Sequence, residues 1–124
     1  MQSTAPGSAP LKVTQYHFTG WPDHGVPQNG VTLINFIRRV RTSHPYSDSR
    51  PLLVHCSAGV GRTGAFIVLD SMLQRMQGEQ NLNIYEFLKQ LRTQRVLMVQ
   101  TQVLQKHGIS CMHTCINKNV QQLF

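Results

Sequence analysis

The stretch VHCSAGVGRTG, residues 54–64, leads from an apolar segment through a glycine-rich loop towards an amphipathic segment. The short apolar run over residues 52–56, bounded by Pro51 and the glycines, predicts a buried strand. Apolar spacing after the loop predicts a helix over residues 63–77. A loop between a strand and a helix can aim successive backbone N–H groups at one point, where the helix dipole adds positive potential. The stretch is therefore suited to hold an anion.

The flanking sequence predicts further alternation of strands and helices. Residues 11–18 predict a strand, residues 20–30 a loop, and residues 31–41 a helix that ends near Pro45. A third helix is predicted after Asn83, with Glu86 three residues on as in a capping box. The order is strand, loop, helix, strand, glycine loop, helix, helix, which indicates an α/β layered arrangement.

The length and composition indicate one globular domain. The chain has 124 residues and a net charge of +7, which favours acidic partners such as phosphorylated peptides. Its longest uninterrupted apolar run, residues 65–69, is too short to span a bilayer, so we expect no membrane contact by this chain. Three cysteines without a secretory signal pattern predict a reducing, cytoplasmic location.

Cys56 and Arg62 carry the chemistry that the loop suggests. Gly59 and Gly61 allow close backbone approach, and the planar fork of Arg62 can hold two oxygens of a tetrahedral oxyanion. The same field favours a thiolate at Cys56, so its pKa should fall and the sulfur is placed for attack on phosphorus. A cysteine after an apolar strand is otherwise usually a small buried hydrophobe. The Gly-Lys-Ser/Thr pattern of a nucleotide loop is absent, because the residues here are Gly-Arg-Thr.

Asp23 is the candidate proton donor. It lies in WPDHGVP, residues 21–27, where the indole of Trp21 could exclude water and raise the pKa of the carboxyl group. The same carboxylate could then deprotonate the water that cleaves a thiophosphate intermediate. Taken alone, an aspartate between proline and histidine is more often a turn-forming residue.

Together these residues resemble a conventional protein tyrosine phosphatase, closest to the receptor-type members. VHCSAGVGRTG resembles the signature loop of that family, and WPDHGVP resembles its mobile acid-bearing loop, in the expected order. MVQT, residues 98–101, resembles the start of the family's glutamine loop, and FLKQLRTQR, residues 87–95, resembles the helix before it. The resemblance covers residues 11–101.

The resemblance implies a role for each matching residue. Cys56 is expected to be the nucleophile, Arg62 the phosphate clamp, Asp23 the acid and then the base, and Gln100 the residue that positions water. His55 would orient the loop, and the Thr63 hydroxyl would ease departure of the thiolate. Backbone donors to the phosphate are expected from Ser57, Ala58, Gly59, Val60 and Gly61.

The resemblance also implies the organisation and activity of the chain. Residues 11–101 would be the C-terminal half of a catalytic domain, with a strand, phosphate loop and helix at its core and helices around them. Residues 1–10 would be a disordered N-terminal segment and residues 102–124 a divergent tail. The implied activity is hydrolysis of phosphotyrosine in proteins through a cysteinyl-phosphate intermediate, without a metal or cofactor.

Other functions compete with this interpretation. The site could capture phosphotyrosine without hydrolysing it, or accept phosphoserine as well if its pocket is broad. The tail residues His107, Cys111, His113 and Cys115 have spacings that a metal tolerates, although exposed tail residues are the simpler explanation. Nucleic-acid binding through Arg38, Arg39 and Arg41 is disfavoured, because such a row is usually a solvated helix face.

Overall fold

The computed structural model describes residues 12–23, 25–78 and 83–100. This part of the chain contains three helices: α1 (Gly30–Ser43), α2 (Gly61–Arg75) and α3 (Ile84–Gln94). The three predicted helices are confirmed, with ends that differ from the predicted ones by a few residues. The predicted tail and N-terminal segment, including the four tail residues considered for a metal, lie outside the described residues.

Helix α1 begins and ends at residues that local chemistry selects. The side chain of Asn29 accepts a hydrogen bond from the Val31 N–H at 3.0 Å, which satisfies one of the free donors of the first turn. The helix ends at Ser43, and His44 leaves helical geometry because it precedes Pro45. Leu33, Ile34, Ile37 and Val40 form the buried face.

Helix α2 is the centre of the core. It contacts both α1 and α3, and eight of its fifteen residues are buried. Leu69 and Met72 have 1% and 0% of their surface exposed, so this helix has little solvent-facing surface along its middle. The arrangement fixes the α2 N-terminus, which follows directly from the glycine loop, relative to the other two helices.

Helix α3 has the predicted cap. The Asn83 side chain accepts a hydrogen bond from the Glu86 N–H at 3.0 Å. Leu88 is buried, and three other apolar residues of the helix are partly buried against the same core: Ile84, Phe87 and Leu91.

The two predicted strands are wrong for the described part of the chain, where residues 12–20 and 51–56 are irregular and form no β-ladder. Burial still alternates between positions, since Leu52 and Val54 are half-buried while Leu53 is 88% exposed. A strand also requires a neighbouring backbone at hydrogen-bonding distance, and no described segment supplies one. The described architecture is thus helical, and the α/β class remains a prediction.

A polar network joins α1, α2 and the loop between them. Arg41 forms an ion pair with Asp70, and its Nε donates to Asp70 Oδ1 at 2.8 Å. The Tyr46 hydroxyl donates to the same Oδ1 at 2.8 Å, and the Arg41 guanidinium lies 4.2 Å from the Tyr46 ring centroid. Burial, and then the hydrogen bond with Asp70, raise the pKa of Tyr46 to about 12. The network fixes the start of the segment that leads to Cys56.

Four aromatic rings link the loop that carries Asp23 to this core. The ring centroids of Trp21 and Phe18 are 6.5 Å apart, those of Phe18 and Phe36 5.1 Å, and those of Phe36 and Phe66 6.3 Å. Pairs at these separations stabilise a fold beyond their area burial. Within the described ranges, no helix has the length and apolar character needed to cross a membrane.

Candidate active site

Cys56 lies at the mouth of the loop that precedes α2. Its sulfur accepts a hydrogen bond from the Gly59 N–H at 3.2 Å. Gly59 has a φ of +68°, a left-handed conformation that glycine adopts without steric cost, and this conformation turns the loop back over the sulfur. Of the loop residues expected to donate to a phosphate, Gly59 thus directs its N–H at the Cys56 sulfur in this structure.

The surroundings of Cys56 favour its thiolate. Partial burial raises the pKa of the thiol, but the nearby Thr63 hydroxyl and the N–H groups of Thr63, Gly59 and Val60, which favour the charged form, together outweigh it and lower the pKa to about 7. An ordinary cysteine has a pKa of about 8.5. Among the described residues, Thr63 Oγ1 is a buried polar side-chain atom without a hydrogen bond of ordinary geometry, although it lies beside the sulfur. That hydroxyl therefore has donor capacity left for a sulfur or for an incoming oxyanion.

The first turn of α2 supplies further donors. No side chain caps this helix at Val60, and its first N–H groups point out of the helix start. The helix contains 15 residues, which is long enough for its N-terminal end to carry a partial positive charge. An anion placed above Cys56 would meet both these N–H groups and this charge.

Arg62 contacts the loop that contains Asp23. Its Nη2 donates to the carbonyl oxygen of Pro22 at 3.1 Å, and its guanidinium carbon lies 5.7 Å from the Trp21 ring centroid. The Trp21 indole in turn donates to the Gly25 carbonyl at 3.2 Å, which closes its own loop. The structure thus brings the predicted cation and the neighbour of the predicted acid together across forty residues of chain.

The predicted shielding of Asp23 by Trp21 is wrong for this conformation, because the Asp23 side chain is exposed to solvent. The indole ring faces Phe18 and Arg62 instead. His55 is also exposed, and its Nδ1 lies 3.4 Å from the Cys56 carbonyl oxygen, so its contact with the loop is a local one.

Gln100 follows a backbone segment that contacts the signature loop directly. The Val99 N–H donates to the Val60 carbonyl at 3.0 Å. Leu97 and Val99 have φ values of 63° and 56°, which are rare for residues with side chains and are costly for a β-branched valine. Gln100 is exposed at the end of this segment, one residue from the contact with the loop.

Sequence reasoning missed two arginines that hold these backbone segments. Arg95, directly after α3, donates from Nε to the Gly59 carbonyl at 3.0 Å and from Nη2 to the Ala58 carbonyl at 3.4 Å. Arg92 donates to the carbonyls of Met98 and Val99, each at 2.9 Å. Their sequence signals are a cationic helix C-terminus and their place in FLKQLRTQR, residues 87–95, and neither signal indicates a partner.

Gly64 was not singled out either, yet it sets how closely α2 approaches the segment before Gln100. A Cβ atom at this position would lie 2.5 Å from the Val99 nitrogen, which is closer than Cβ atoms approach other atoms in real structures. The available signal was a glycine inside a predicted helix, which is unfavourable for the helix and can mark a close packing contact.

The arrangement has the parts needed to bind and attack a phosphoryl group. It combines a low-pKa thiol, converging N–H donors, a guanidinium and a carboxylate on a contacting loop. Among the described residues there is no group of three side chains that could hold a metal ion.

Comparison with known proteins identifies the family of the chain. The model of a family described as protein-tyrosine phosphatase matches residues 1–116. The chain is 50% identical over 95 residues to receptor-type tyrosine-protein phosphatase epsilon of Rattus norvegicus, covering 77% of this chain and 13% of that protein. It is 52% identical over 91 residues to receptor-type tyrosine-protein phosphatase S of Gallus gallus, covering 73% of this chain and 6% of that protein. A putative receptor-type tyrosine-protein phosphatase of Aedes aegypti, mosPTP-1, is 50% identical over 90 residues, or 73% of this chain and 7% of the relative. The chain therefore spans a small part of the length of these relatives, and it belongs to the protein-tyrosine phosphatase family.

Proposed function

We propose that the chain hydrolyses phosphotyrosine in proteins through a cysteinyl-phosphate intermediate. The observation that carries the proposal is the Cys56 sulfur, which accepts a hydrogen bond from the Gly59 N–H at 3.2 Å beside an uncapped helix start. A thiolate in such a field is the nucleophile for a phosphoryl group held by the same donors. Membership of the phosphatase family supports tyrosine phosphate as the substrate.

In the first step, the Cys56 thiolate attacks phosphorus as the bond from phosphorus to the tyrosyl oxygen breaks. Backbone N–H groups of residues 57–61 and the Arg62 fork hold the three equatorial oxygens. The leaving phenoxide takes a proton from Asp23, which must be protonated at that moment. The products are the cysteinyl phosphate and free tyrosine side chain.

In the second step, water attacks the cysteinyl phosphate and the sulfur leaves as a thiolate. Asp23, now a carboxylate, accepts the water proton, and Gln100 orients the water. The Thr63 hydroxyl has no hydrogen bond of ordinary geometry within the described part of the chain, so it can donate to the departing sulfur. Inorganic phosphate is released and Cys56 returns to its starting state.

The closing of the site requires the loop of Asp23 to move. Asp23 is exposed in this structure, while Arg62 already contacts the adjacent Pro22 carbonyl. Arg62 keeps further N–H donors for the phosphate, because a guanidinium has five. We infer that the contact between Arg62 and Pro22 guides Asp23 towards the leaving oxygen.

Phosphotyrosine binding without turnover is the second candidate function. The exposed position of Asp23 favours it, because a bound phosphate would lack its proton donor if the loop stayed in this position. Both candidates place the protein among phosphotyrosine-containing partners in the cytoplasm, where a thiol such as Cys56 stays reduced. We infer the same α/β catalytic domain over residues 11–101 in both cases.

Hydrolysis of a phosphotyrosine peptide by the full chain, beside its Cys56→Ser variant, tests the proposal. We expect phosphate release by the wild-type chain and none by the variant, because a serine hydroxyl is not ionised at neutral pH. A phosphoserine peptide of the same sequence is the substrate control and reports a broader pocket. Turnover by the variant at the wild-type rate would contradict the mechanism, and binding without turnover by the wild-type chain would select the second candidate.

A further inference from the structure

Arg95 contacts the outer side of the loop whose inner side faces Cys56. It follows α3 as the first residue outside the helix, and its guanidinium reaches back across 36 residues of sequence. The guanidinium donates hydrogen bonds to two adjacent carbonyl oxygens, that of Gly59 at 3.0 Å and that of Ala58 at 3.4 Å. An arginine that binds two successive backbone carbonyls restrains two successive peptide planes.

The restrained peptide units include the one that donates to the sulfur. In a trans peptide the C=O and N–H bonds point in opposite directions. The carbonyl of Ala58 belongs to the same peptide unit as the Gly59 N–H, which donates to Cys56 Sγ at 3.2 Å. The carbonyl of Gly59 belongs to the same unit as the Val60 N–H, which also stabilises the thiolate. Arg95 therefore holds the outer end of both peptide units, and Cys56 meets their inner ends.

These peptide units need such an anchor. Gly59 has a φ of +68° and no side chain, so rotation of the flanking peptide units costs little by itself. A hydrogen bond from a cation to a carbonyl also polarises the peptide and strengthens the N–H at its other end. The packing is close, since a Cβ on Gly59 would lie 3.2 Å from Arg95 Nη2.

We propose that Arg95 is a positioning residue that fixes the peptide units 58–59 and 59–60 with their N–H groups towards Cys56 and so stabilises the thiolate. The proposal rests on the proposed function in one respect, which is that the Cys56 thiolate is the nucleophile of the proposed reaction. Arg95 touches no reacting atom and acts through the backbone.

Other charged groups near Cys56 do not replace this contact. Arg62 lies on the same loop but donates to the Pro22 carbonyl, and Asp23 lies on the loop of Pro22. His55 precedes Cys56 and its Nδ1 lies near the Cys56 carbonyl oxygen. The charge of Arg95 would favour a thiolate even without its hydrogen bonds, so an experiment has to separate charge from peptide orientation.

The test is the pH dependence of Cys56 alkylation in the full chain, with Cys111 and Cys115 replaced by serine so that one thiol remains. We expect a midpoint of about 7 before further substitution. Arg95→Gln should raise the midpoint by about one unit towards the free-cysteine value of about 8.5, which is a roughly tenfold loss of thiolate on the acid side. Arg75→Gln is the matched control, because Arg75 is exposed on α2 and its guanidinium stacks on the Phe87 ring. It should leave the midpoint unchanged.

Arg95→Lys separates charge from orientation. Lysine keeps the charge but is a compact ammonium without the planar fork that binds two carbonyls at once. We expect a midpoint between those of the wild type and Arg95→Gln. A midpoint equal to the wild-type value would mean that charge alone acts, and an unchanged midpoint in Arg95→Gln would overturn the proposal entirely.

A second measurement uses the chain with Arg95 unchanged, so its result does not depend on whether the Arg95 variants fold. The amide proton resonance of Gly59 should shift with pH at the midpoint of the thiol, because this N–H group donates to the sulfur. Absence of such a shift would overturn the proposal. Alkylation needs no phosphatase activity, so an inactive chain with an Arg95-dependent midpoint would refute the proposed function alone. An active chain with an Arg95-independent midpoint would refute this inference alone.

Discussion

The proposed reaction makes opposite demands on two ionisable side chains. Cys56 must lose its proton before attack, and Asp23 must keep its proton until the leaving group departs. Backbone donors and Thr63 meet the first demand by lowering the pKa of Cys56 to about 7, against the opposing effect of its partial burial. The second demand requires Asp23, which is exposed in this structure, to move to the leaving oxygen.

Replacing Asp23 by alanine separates proton donation from binding. We expect Asp23→Ala to lower kcat on a phosphotyrosine peptide by about 10²–10⁴, the usual contribution of a general acid. Binding of the peptide should persist, because the donors to the phosphate are elsewhere. Steady-state kinetics and a binding assay on Cys56→Ser with and without the change measure the two effects.

Glu86→Gln is the matched control for this prediction. It removes one exposed carboxylate from α3, far along the sequence from the loop of Asp23, and should leave kcat unchanged. Turnover by Asp23→Ala at the rate of this control would show that another group donates the proton.

For single residues, the sequence predicts contacts between neighbours along the chain and misses contacts between residues far apart in the chain. Cys56, Gly59 and Gly61 are close in sequence, so their spacing predicted a sulfur beside backbone donors, whereas the role of Thr63 came from the family resemblance. Arg95 reaches Gly59 across 36 residues, and only the packing of α3 brings them together. The predicted shielding of Asp23 failed for the same reason, since the environment of an exposed loop depends on its position over the rest of the molecule.

At the scale of the elements, α2 approaches the segment before Gln100 closely. This segment contains two side-chain residues with positive φ, each of which costs on the order of 1–3 kcal/mol. Burial of Met98 and Val99 and the two hydrogen bonds from Arg92 to their carbonyls offset that cost. The strained segment persists because its neighbours determine its path, and its path determines where Gln100 lies.

Gly64→Ala tests whether this close approach matters. The added Cβ would lie 2.5 Å from the Val99 nitrogen, so the segment must move and its hydrogen bond to Val60 must lengthen. We expect a loss of about 1–3 kcal/mol in the free energy of unfolding, as for other overpacked positions. Turnover should also fall, because Gln100 moves with the segment.

Gly78→Ala is the control for that change. A Cβ there meets no atom within 4 Å, so urea unfolding should show little change or a small gain in stability. Equal stability of the two variants would mean that α2 and the segment can separate without cost.

The helices were predictable because their signals are local, and the strands were not. Asn29 and Asn83 cap the helices that follow them, and the residue before Pro45 ends α1, all within a few positions of the helix ends. The apolar run over residues 52–56 has the alternating burial of a strand, but a ladder needs a second backbone. The periodicity of one segment carries no information on whether that partner is present.

Two sets of contacts stabilise the described part of the molecule as a whole. One is the apolar cluster that joins the three helices, and the other is the polar network of Arg41, Tyr46 and Asp70. Asp70 is 7% exposed although it is charged, which is tolerable only because two partners satisfy its oxygens. This network restrains the loop that begins the segment leading to Cys56, so stability and the site share it.

Asp70→Asn should weaken the whole molecule. The change leaves the half-buried Arg41 without a counter-charge and replaces one acceptor of the Tyr46 hydroxyl, and we expect a loss of about 2–3 kcal/mol in the free energy of unfolding. Urea unfolding followed by circular dichroism measures it. Arg50→Gln is the control, because that side chain is 75% exposed in its pairing with Asp48 and its loss should have a much smaller effect.

The same network predicts how stability depends on alkaline pH. The folded pKa of Tyr46 is raised to about 12, first by burial and then by its hydrogen bond with Asp70, whereas an unfolded tyrosine titrates near 10. The folded state therefore holds the proton more tightly, so the stabilisation from Tyr46 is complete below pH about 10 and declines as pH rises from there to about 12. Tyr46→Phe should remove this decline while leaving other alkaline transitions in place. A wild-type chain whose stability falls no faster than that of Tyr46→Phe over this interval would mean that the hydroxyl is not held by Asp70, and the loop before Cys56 would then need another restraint.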